Sequence, residues 1–420
     1  MKKVYLFNVL PALVMAAFVF ILMPVPAFSY EGTYIGIKNY GKIGRSVALD
    51  PKKAIYYFNV DGKKKKFSID CGVIYPDRIS DAEKADDKDY FCVMPAEDGA
   101  YPIQNILHEG ESYRITLKGR KIVSCEPVCV EHTVSSVVSG IPGKRTVKNF
   151  LQTALMPVGN VLYVYGGGWD WQDIGASDIA RTIGFSETWK KFFDSQDENY
   201  LYEDDDDPLN STYPYGEWNQ YYYLGLDCSG YVGWTLYNTM FDKSLAYPGF
   251  VTSSGKMAER LAEKYKLGIW NHHVTELRPG DIVSLSSHVY ICVGVCEDGS
   301  MVFLESTPSP SRTGKRGGGV QLSAFSMKGA DDHDCDAYSL ASYYMKKYYP
   351  EWYSRYPVFL SCPDSYFSFP DDKPSSGVFR WNLTDDALDG SGTVFIGLAD
   401  PDGITGMSAA EVLAVLFGEK

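Results

Sequence analysis

The chain has 420 residues, of which 45% are hydrophobic and 22% charged, a balance typical of globular proteins and unlike that of disordered or multi-span membrane proteins. The length predicts two or three domains, and 32 tyrosines and 21 phenylalanines favour a sheet-rich architecture over helical bundles. The 40 basic and 53 acidic side chains give a formal charge of −13, the wrong sign for tracking a phosphate backbone, so we expect no nucleic-acid partner.

The N-terminal segment has the features of a secretory signal peptide. Lys2 and Lys3 precede an apolar run from Val4 to Met23, and Ala27-Phe28-Ser29 offers small residues at the two positions that signal peptidase reads. We therefore expect residues 1–29 to be removed and the protein to be secreted or associated with the cell envelope, without stable membrane insertion after cleavage. The alternative is an uncleaved membrane anchor, because the apolar run is about the ~20 residues needed to span a bilayer.

Cysteine usage singles out one residue. The chain has nine cysteines, and an odd number in an exported protein leaves at least one outside any intramolecular disulfide set. Cys228 lies in the distinctive sequence Asp-Cys-Ser-Gly, whereas the other eight lack the spacing of a metal site. The pairing and redox state of those eight stay open: Cys71, Cys92, Cys125, Cys129, Cys292, Cys296, Cys335 and Cys362.

Residues 30–135 predict a small all-β domain. Apolar and polar residues alternate in short runs such as Ser112 to Leu117, and Asp61-Gly62 marks a hairpin. The basic run Lys63 to Lys66 after that turn is interpreted as a solvated hairpin tip, with a contact to an anionic wall polymer as the alternative. Residues 136–146 are rich in Gly, Pro and Ser and predict a linker.

The next part of the chain combines two short elements with a long insertion. Val147 to Met156 has helical spacing, and Val161 to Tyr165 predicts a strand that ends in three glycines. The insertion, at about residues 169–225, carries Trp169 and Trp171, whose rings either line a substrate cleft or pack the insertion on the core. Its acidic run Glu203 to Asp207 is interpreted as a solvated loop rather than a calcium site, since the EF-hand spacing is absent.

A helix and an antiparallel meander follow the insertion. Asp227 to Met240 predicts a helix with Asp227 as N-cap and Cys228 in the first turn. The turn Pro279-Gly280-Asp281 then precedes three predicted strands, which cover residues 282–285, 288–294 and 301–305.

The C-terminal third predicts a helix at 338–349, a strand at 377–383 and a short helix at 408–417 capped by Ser408. We expect these elements to form extra layers on the preceding domain rather than a third domain.

Three of these residues suit nucleophilic catalysis. A cysteine attacks as the thiolate, and the amide groups at a helix N-terminus favour that anion at Cys228 and can hold an oxyanion. His288 is the candidate base, and Glu305 on the next strand can fix its tautomer. Each residue alone is more often structural, so it is the order of the elements that favours catalysis.

That order resembles the NlpC-type family of papain-like cell-wall cysteine peptidases. The resemblance covers about residues 147–308 and is carried by four motifs: Tyr163-Val164-Tyr165-Gly166-Gly167, Asp227-Cys228-Ser229-Gly230, Leu277-Arg278-Pro279-Gly280-Asp281-Ile282-Val283 and His288-Val289-Tyr290-Ile291-Cys292-Val293-Gly294. It implies an α+β fold in which a papain-like catalytic domain, with its nucleophile helix packed on an antiparallel sheet, occupies residues 147–420. The small all-β domain would precede it.

The resemblance also implies roles for six residues. Cys228 would be the nucleophile, His288 the base, and Tyr163 a residue beside the cleft that binds substrate or polarises the attacked carbonyl. Asp227 and Ser229 would border the specificity pocket. The family's third polar residue is commonly His, Asn or Gln; the matching residue here is Glu305, with Ser306 as the alternative. No metal or other cofactor is implied.

The function implied is an exported cysteine endopeptidase that hydrolyses stem peptides of bacterial peptidoglycan, at the bond between D-glutamate and the diamino acid. The same Cys and His would also serve a peptidoglycan amidase or an acyltransferase. A third alternative is a catalytically silent wall-binding protein whose long insertion blocks the cleft.

Overall fold

The computed structural model describes residues 27–38, 55–68, 73–74, 92–93, 112–119, 121–127, 132–133, 136–169, 175–203, 222–241, 249–274, 276–367, 369, 376–385 and 397–419. The chain divides into two compact units, the first comprising residues 1–76 and 84–128 and the second residues 77–83 and 129–420. Helices and largely antiparallel sheets occur together, an architecture compatible with the predicted α+β class.

The first unit contains a closed five-stranded barrel. Its strands are β1 (Ala27–Lys38), β2 (Ile55–Val60), β3 (Lys63–Ser68), β6 (Ser112–Lys118) and β7 (Lys121–Pro127), in the order β1-β2-β3-β7-β6. Two further short strands, β4 (Val73–Ile74) and β5 (Cys92–Val93), pair with each other. Because alternate residues of a strand face opposite sides, the inward residues make an apolar core that includes Phe58 and Ile115.

The predicted hairpin joins β2 to β3. Asp61 and Gly62 both have positive φ, 53° and 72°, the geometry that an Asp-Gly turn adopts most readily. The basic run is not confined to the tip, since Lys63 to Lys66 make up most of β3. Two of these ammonium groups lie over tyrosine rings, Lys64 over Tyr57 and Lys65 over Tyr30, each 4.5 Å from the ring centre.

The signal-peptide prediction falls mostly on residues 1–26, which lie outside the described residues. Ala27 to Ser29, the predicted cleavage site, begin β1 and pair with β6, where the Ser29 and Thr116 hydroxyls are 3.2 Å apart. Cleavage after Ser29 would leave the strand from Tyr30 onward, including the buried Tyr34. No helix in the described part of the chain is long and apolar enough to cross a membrane.

The second unit is built on a seven-stranded sheet. Its strands follow the order β10 (Gly268–Asn271), β16 (Gly377–Trp381), β11 (Ile282–Ser284), β12 (Val289–Val295), β13 (Met301–Thr307), β14 (Gly319–Phe325) and β15 (Leu360–Ser361). Neighbours are antiparallel except β14 and β15. A separate parallel pair joins β8 (His132–Thr133) to β9 (Gly184–Phe185).

Eight α-helices are described in this unit. They are α1 (Val147–Leu155), α2 (Glu187–Ser195), α3 (Cys228–Thr239), α4 (Met257–Glu263), α5 (Asp336–Tyr348), α6 (Pro350–Arg355), α7 (Pro363–Tyr366) and α8 (Ala409–Phe417). The last begins with a complete capping box between Ser408 and Glu411, which agrees with the predicted N-cap. The predicted helix at 338–349 and strand at 377–383 correspond to α5 and β16.

Both faces of the sheet are covered by apolar side chains. Along β13, Val302 and Leu304 face the larger core, which also receives the buried faces of α1 and α3. Met301 and Phe303 face a second, smaller cluster that includes Tyr290 and residues of the C-terminal part of the chain. The alternation therefore gives neighbouring residues of one strand different surroundings, and this decides which polar side chains meet in the site.

Two segments differ from their predicted structure. Val161 to Tyr165 forms isolated bridges instead of a strand. The reason is that its residues pair with different segments, Leu162 with Gly319 and Tyr163 with Leu226. Residues 136–146, predicted as a linker, contact α1: the amide of Ile141 donates to Asn149 Oδ1 at 2.7 Å, and Asn149 Nδ2 donates to the carbonyl oxygens of Ile141 and Lys144. The domain boundaries themselves stay predictions.

The described part of the insertion packs on the core through aromatic rings. Helix α2 buries Trp189 against Trp234 of α3 in an edge-to-face contact with ring centres 5.7 Å apart. Phe193 stacks on Trp352 at 5.6 Å. Trp171 and Asp204 to Asp207 lie outside the described residues, so their predicted roles stay predictions.

Candidate active site

Cys228 is the first residue of α3 and is 7% exposed. The preceding Asp227 is the N-cap, as predicted, and its carboxylate accepts a hydrogen bond from the Gly230 amide at 2.6 Å. A helix cannot satisfy its first amide groups internally, and the cap uses only one of them. The amides of the first turn, with the positive end of the helix dipole, therefore face the surroundings of the thiol.

Glycines allow another segment to approach this helix start closely. A Cβ at position 230 would overlap the carbonyl oxygen of Gly167, and a Cβ on Gly168, whose φ is +89°, would lie 2.7 Å from Gly230 Cα. The amide of Asp227 also donates to Gly167 O at 3.0 Å. This contact brings the Gly-Gly motif against the Asp-Cys-Ser-Gly motif and holds the segment of Tyr163 beside the start of α3.

His288 joins Cys228 to Glu305. The ring lies just before β12, and its Nε2–H donates to Glu305 Oε2 at 2.6 Å, because an ionised carboxylate can only accept. The ring also interacts with the Cys228 thiol, and this interaction raises the pKa of His288. Since Nε2 is occupied, Nδ1 is the nitrogen left to exchange a proton with the sulfur.

The protonated form of His288 is strongly favoured. Burial lowers the pKa of His288, but its hydrogen bonds to Cys228 and Glu305 and the negative charges of both groups outweigh burial and raise the pKa to about 10. Only 13% of the side chain is exposed, so solvent screens these interactions weakly. A ring that takes the thiol proton is thus stabilised as an imidazolium.

Glu305 itself is completely buried and fully hydrogen-bonded. Besides His288, it accepts from the Ser323 hydroxyl at Oε1, at 2.7 Å, and from the Tyr366 hydroxyl at Oε2, at 3.0 Å. The alternative third residue, Ser306, points to the other face of the sheet and donates to the carbonyl oxygen of Leu226 at 2.7 Å. The geometry therefore brings Glu305, and not Ser306, to the ring.

Tyr163 has a half-buried side chain, and its backbone forms a bridge with Leu226, two residues before Cys228. Burial raises the pKa of Tyr163 well above its usual value, and the charges of Cys228 and Asp227 add to this effect, so the phenol stays protonated and can donate a hydrogen bond. Its ring meets Tyr202 edge-on at 5.3 Å. The Tyr200 hydroxyl fixes its backbone by donating to Tyr163 O at 2.8 Å.

Asp227 and Ser229 form part of a buried network beside the thiol. Ser229 Oγ donates to Asp227 Oδ1 at 2.8 Å, and Trp169 Nε1 donates to Ser229 Oγ at 2.9 Å. The same Asp227 oxygen accepts the Gly230 amide, so both residues are held in fixed positions at the helix start. Trp169, at the beginning of the insertion, is thereby anchored next to the nucleophile helix.

Sequence reasoning missed Ser323 and Tyr366. Neither belongs to a local motif: Ser323 is 18 residues and Tyr366 61 residues beyond Glu305 in the chain. The β13 to β14 pairing, with Glu305 opposite Gln321, would have pointed to Ser323, but a register of this kind cannot be read from periodicity alone. Tyr366 carries no sequence signal beyond being an aromatic residue.

Four cysteines of the described part of the chain have free thiols: Cys228, Cys292, Cys296 and Cys335. Burial raises the pKa of Cys292 well above the usual value and that of Cys296 to about 12. No cluster of three or more His, Cys, Asp or Glu suited to a metal ion occurs among the described residues.

Comparison of the chain with protein-family models, with curated proteins and with solved structures returned no match.

Proposed function

We propose that the chain is an exported cysteine peptidase that hydrolyses stem peptides of bacterial peptidoglycan. The observation that carries the proposal is the position of His288, which is hydrogen-bonded to the buried Glu305 carboxylate and interacts with the Cys228 thiol at the N-terminus of α3. A purely structural cysteine needs neither a base nor a buried carboxylate behind that base.

The fold proposed with this function is a papain-like catalytic domain preceded by a small all-β domain. The packing of α3 on β12 and β13 supports the first part, since it brings the nucleophile on the helix to the base beside the sheet. The closed barrel of the first unit supports the second.

The proposed reaction has two steps. His288 accepts the thiol proton, and the sulfur bonds to the carbonyl carbon while the helix-start amides and the Tyr163 hydroxyl hold the oxyanion. Collapse breaks the carbon–nitrogen bond, and the imidazolium gives its proton to the leaving amine. Water, deprotonated by His288, then attacks the thioester and releases a carboxylic acid and the free thiol.

The substrate is the part of the proposal that depends on the resemblance. The Asp-Cys-Ser-Gly and Tyr-Gly-Gly motifs are those of peptidases that cut between D-glutamate and the diamino acid. The rigid network of Asp227, Ser229 and Trp169 supports a shaped pocket beside the thiol. An amidase or acyltransferase would use the same Cys and His, and the identity of the product separates these reactions. A catalytically silent wall-binding protein is disfavoured, because binding alone requires neither the thiol of Cys228 nor the imidazole and carboxylate of His288 and Glu305.

Mass spectrometry of the soluble products from purified peptidoglycan tests the proposal. The protein should release peptides ending at D-glutamate, a Cys228→Ala variant should release none, and a Cys296→Ala variant should behave as the wild type. Fragments cut at the lactyl amide would make the protein an amidase. Absence of products from a folded wild-type protein would contradict wall hydrolysis.

A further inference from the structure

The surroundings of Glu305 contain two hydroxyl groups that the resemblance does not include. We propose that Tyr366 and Ser323 are positioning residues whose hydroxyl groups hold the Glu305 carboxylate in the orientation that keeps His288 aligned with Cys228. This inference rests on the proposed function, because it concerns the same thiol and imidazole.

Each oxygen of the carboxylate has its own donor besides the imidazole. Ser323 bonds to Oε1 at 2.7 Å, and Tyr366 bonds at 3.0 Å to Oε2, the oxygen that also accepts His288 Nε2–H at 2.6 Å. With both oxygens bound, the carboxylate cannot rotate about its last torsion without breaking a hydrogen bond. The direction from Oε2 to the ring is therefore fixed by the two hydroxyl groups together with the imidazole.

The Ser323 bond is the end of a longer series of donors. Trp352 Nε1 donates to Gln321 Oε1 at 3.3 Å, Gln321 Nε2 donates to Ser323 Oγ at 3.2 Å, and Ser323 donates to Glu305. Every N–H or O–H in this series points toward the carboxylate. Aligned hydrogen bonds of this kind strengthen one another in a buried setting, so the series stabilises the negative charge.

Tyr366 is in turn held by its own neighbours. The Tyr290 hydroxyl donates to Tyr366 O at 2.7 Å, and the two rings stack with centres 5.8 Å apart. Tyr366 also lies 5.0 Å from the His288 ring, measured between ring centres. Burial raises the pKa of Tyr366 well above its usual value, and the charge of Glu305 adds to this, so the hydroxyl remains a donor.

A buried carboxylate without these donors would be a poor partner for the imidazole. Burying a charged group whose hydrogen bonds are incomplete is costly, and a carboxylate that can rotate stabilises an imidazolium less well. Loss of either hydroxyl should therefore reduce the population of the thiolate and imidazolium pair at slightly acid pH, where the thiol does not ionise unaided.

The rate of Cys228 alkylation by iodoacetamide, followed by peptide mass spectrometry across a pH series, tests the proposal without any substrate. In Tyr366→Phe, we expect the rate at about pH 6 to fall about tenfold, the effect of one hydrogen bond to a charged group, and to rejoin the wild-type rate at high pH. Ser323→Ala should change the profile in the same direction. Tyr231→Phe is the matched control, because it also loses one buried tyrosine hydroxyl, but that hydroxyl donates to Ala154 O at 2.7 Å and not to Glu305.

The outcomes separate this proposal from the proposed function. A shifted profile in Tyr366→Phe and Ser323→Ala supports the positioning role even if peptidoglycan yields no products. Profiles that match the wild type in both variants, or a shift of equal size in Tyr231→Phe, would overturn it, whether or not peptidoglycan is cut. Should Tyr366→Phe fail to fold by circular dichroism, Ser323→Ala decides the matter alone.

Discussion

His288 lies between two groups that both favour its protonated form. The Glu305 carboxylate accepts a hydrogen bond from the ring, and the Cys228 thiol interacts with it; together they raise the pKa of His288 to about 10 against the opposing effect of burial. In the proposed reaction, a base with a pKa this high holds its proton over the whole neutral range once it has taken it from the thiol. Transfer of that proton from the imidazolium to the leaving amine would then set the alkaline limit of the reaction.

Replacing Glu305 with Gln should move that alkaline limit to lower pH. The amide has nearly the size of the carboxylate but no charge, so the pKa of His288 should fall from about 10 toward the reference value of about 6.5. We expect the hydrolysis rate at about pH 8 to fall about a hundredfold, within the usual range for general acid–base catalysis. A pH–rate profile of product release measures this, and an alkaline limit unchanged from the wild type would contradict it.

The same pKa shift predicts how stability depends on pH. Folding raises the pKa of His288 from about 6.5, the value in the unfolded chain, to about 10. This shift stabilises the fold fully below the unfolded pKa, and its contribution is lost as the pH rises through the folded pKa. The free energy of unfolding of the wild type should therefore drop more between these two pH values than that of a His288→Gln variant. Urea titrations of the two proteins at both pH values test this. An equal change in the free energy of unfolding of both proteins would show that the pKa shift of His288 has no energetic consequence.

At the scale of elements, the start of α3 is determined by contacts that only small residues permit. Asp227 caps the helix, and the absence of a side chain at Gly230 lets the carbonyl of Gly167 approach. This approach holds the Tyr163 segment against the helix in the absence of a regular strand. The position of Tyr163 beside the thiol is therefore a property of two motifs together and of neither alone.

Gly230→Ala tests this contact. The added Cβ would overlap Gly167 O, which belongs to the backbone and cannot turn away, so the free energy of unfolding should fall by about 3 kcal/mol and activity should be lost. Gly406→Ala is the control, because a Cβ there meets no atom of the described residues within 4 Å. Denaturant titration of both variants checks the prediction. Equal free energies of unfolding of the two variants would contradict it.

An ion pair between the buried Asp281 and the partly buried Arg380 fixes the turn before His288. Asp281 accepts from the Arg278 amide at 2.9 Å and from Arg380 of β16, whose Nη2 lies 2.7 Å from Oδ2. Burial raises the pKa of Asp281 although Arg380 opposes this effect, so the carboxylate depends on its partner. Arg380→Ala should destabilise the fold by about 3 kcal/mol, because it leaves a buried charge unpaired.

The matched control for that variant is Lys148→Ala. It removes a more exposed pair with Asp402, 3.2 Å apart, and should change stability by less than about 1 kcal/mol. Thermal or urea unfolding compares the two variants. Equal small losses would mean that Asp281 finds other partners when Arg380 is removed.

At the scale of the whole molecule, the sequence predicted those features that depend only on residues close together in the chain. The cap at Asp227, the Asp61-Gly62 turn and the strands around His288 agree with the structure because each is specified within a few residues. The surroundings of Glu305 depend on strand register and on a residue 61 positions away, and no local pattern encodes them. Val161 to Tyr165 has the composition of a strand but lacks one continuous partner, which only the tertiary structure reveals.

The distribution of thiols across the molecule leads to a prediction about selectivity. Among the described cysteines, Cys292 and Cys335 are buried and Cys296 is partly exposed, and burial raises the pKa of all three, that of Cys296 to about 12. Cys228, in contrast to these three, interacts with an imidazole whose protonated form is stabilised. Because the thiolate is the reactive form, iodoacetamide at neutral pH should alkylate Cys228 at least about tenfold faster than these three.

Peptide mass spectrometry of briefly treated protein measures the four rates together. In denaturant the rates should become equal, which shows that the difference comes from the fold and not from neighbouring residues in the sequence. The informative comparison is with Cys296, since this residue is partly exposed and burial raises the pKa of its thiol to about 12. Alkylation of Cys296 as fast as that of Cys228 in the folded protein would contradict the view that the imidazole activates Cys228.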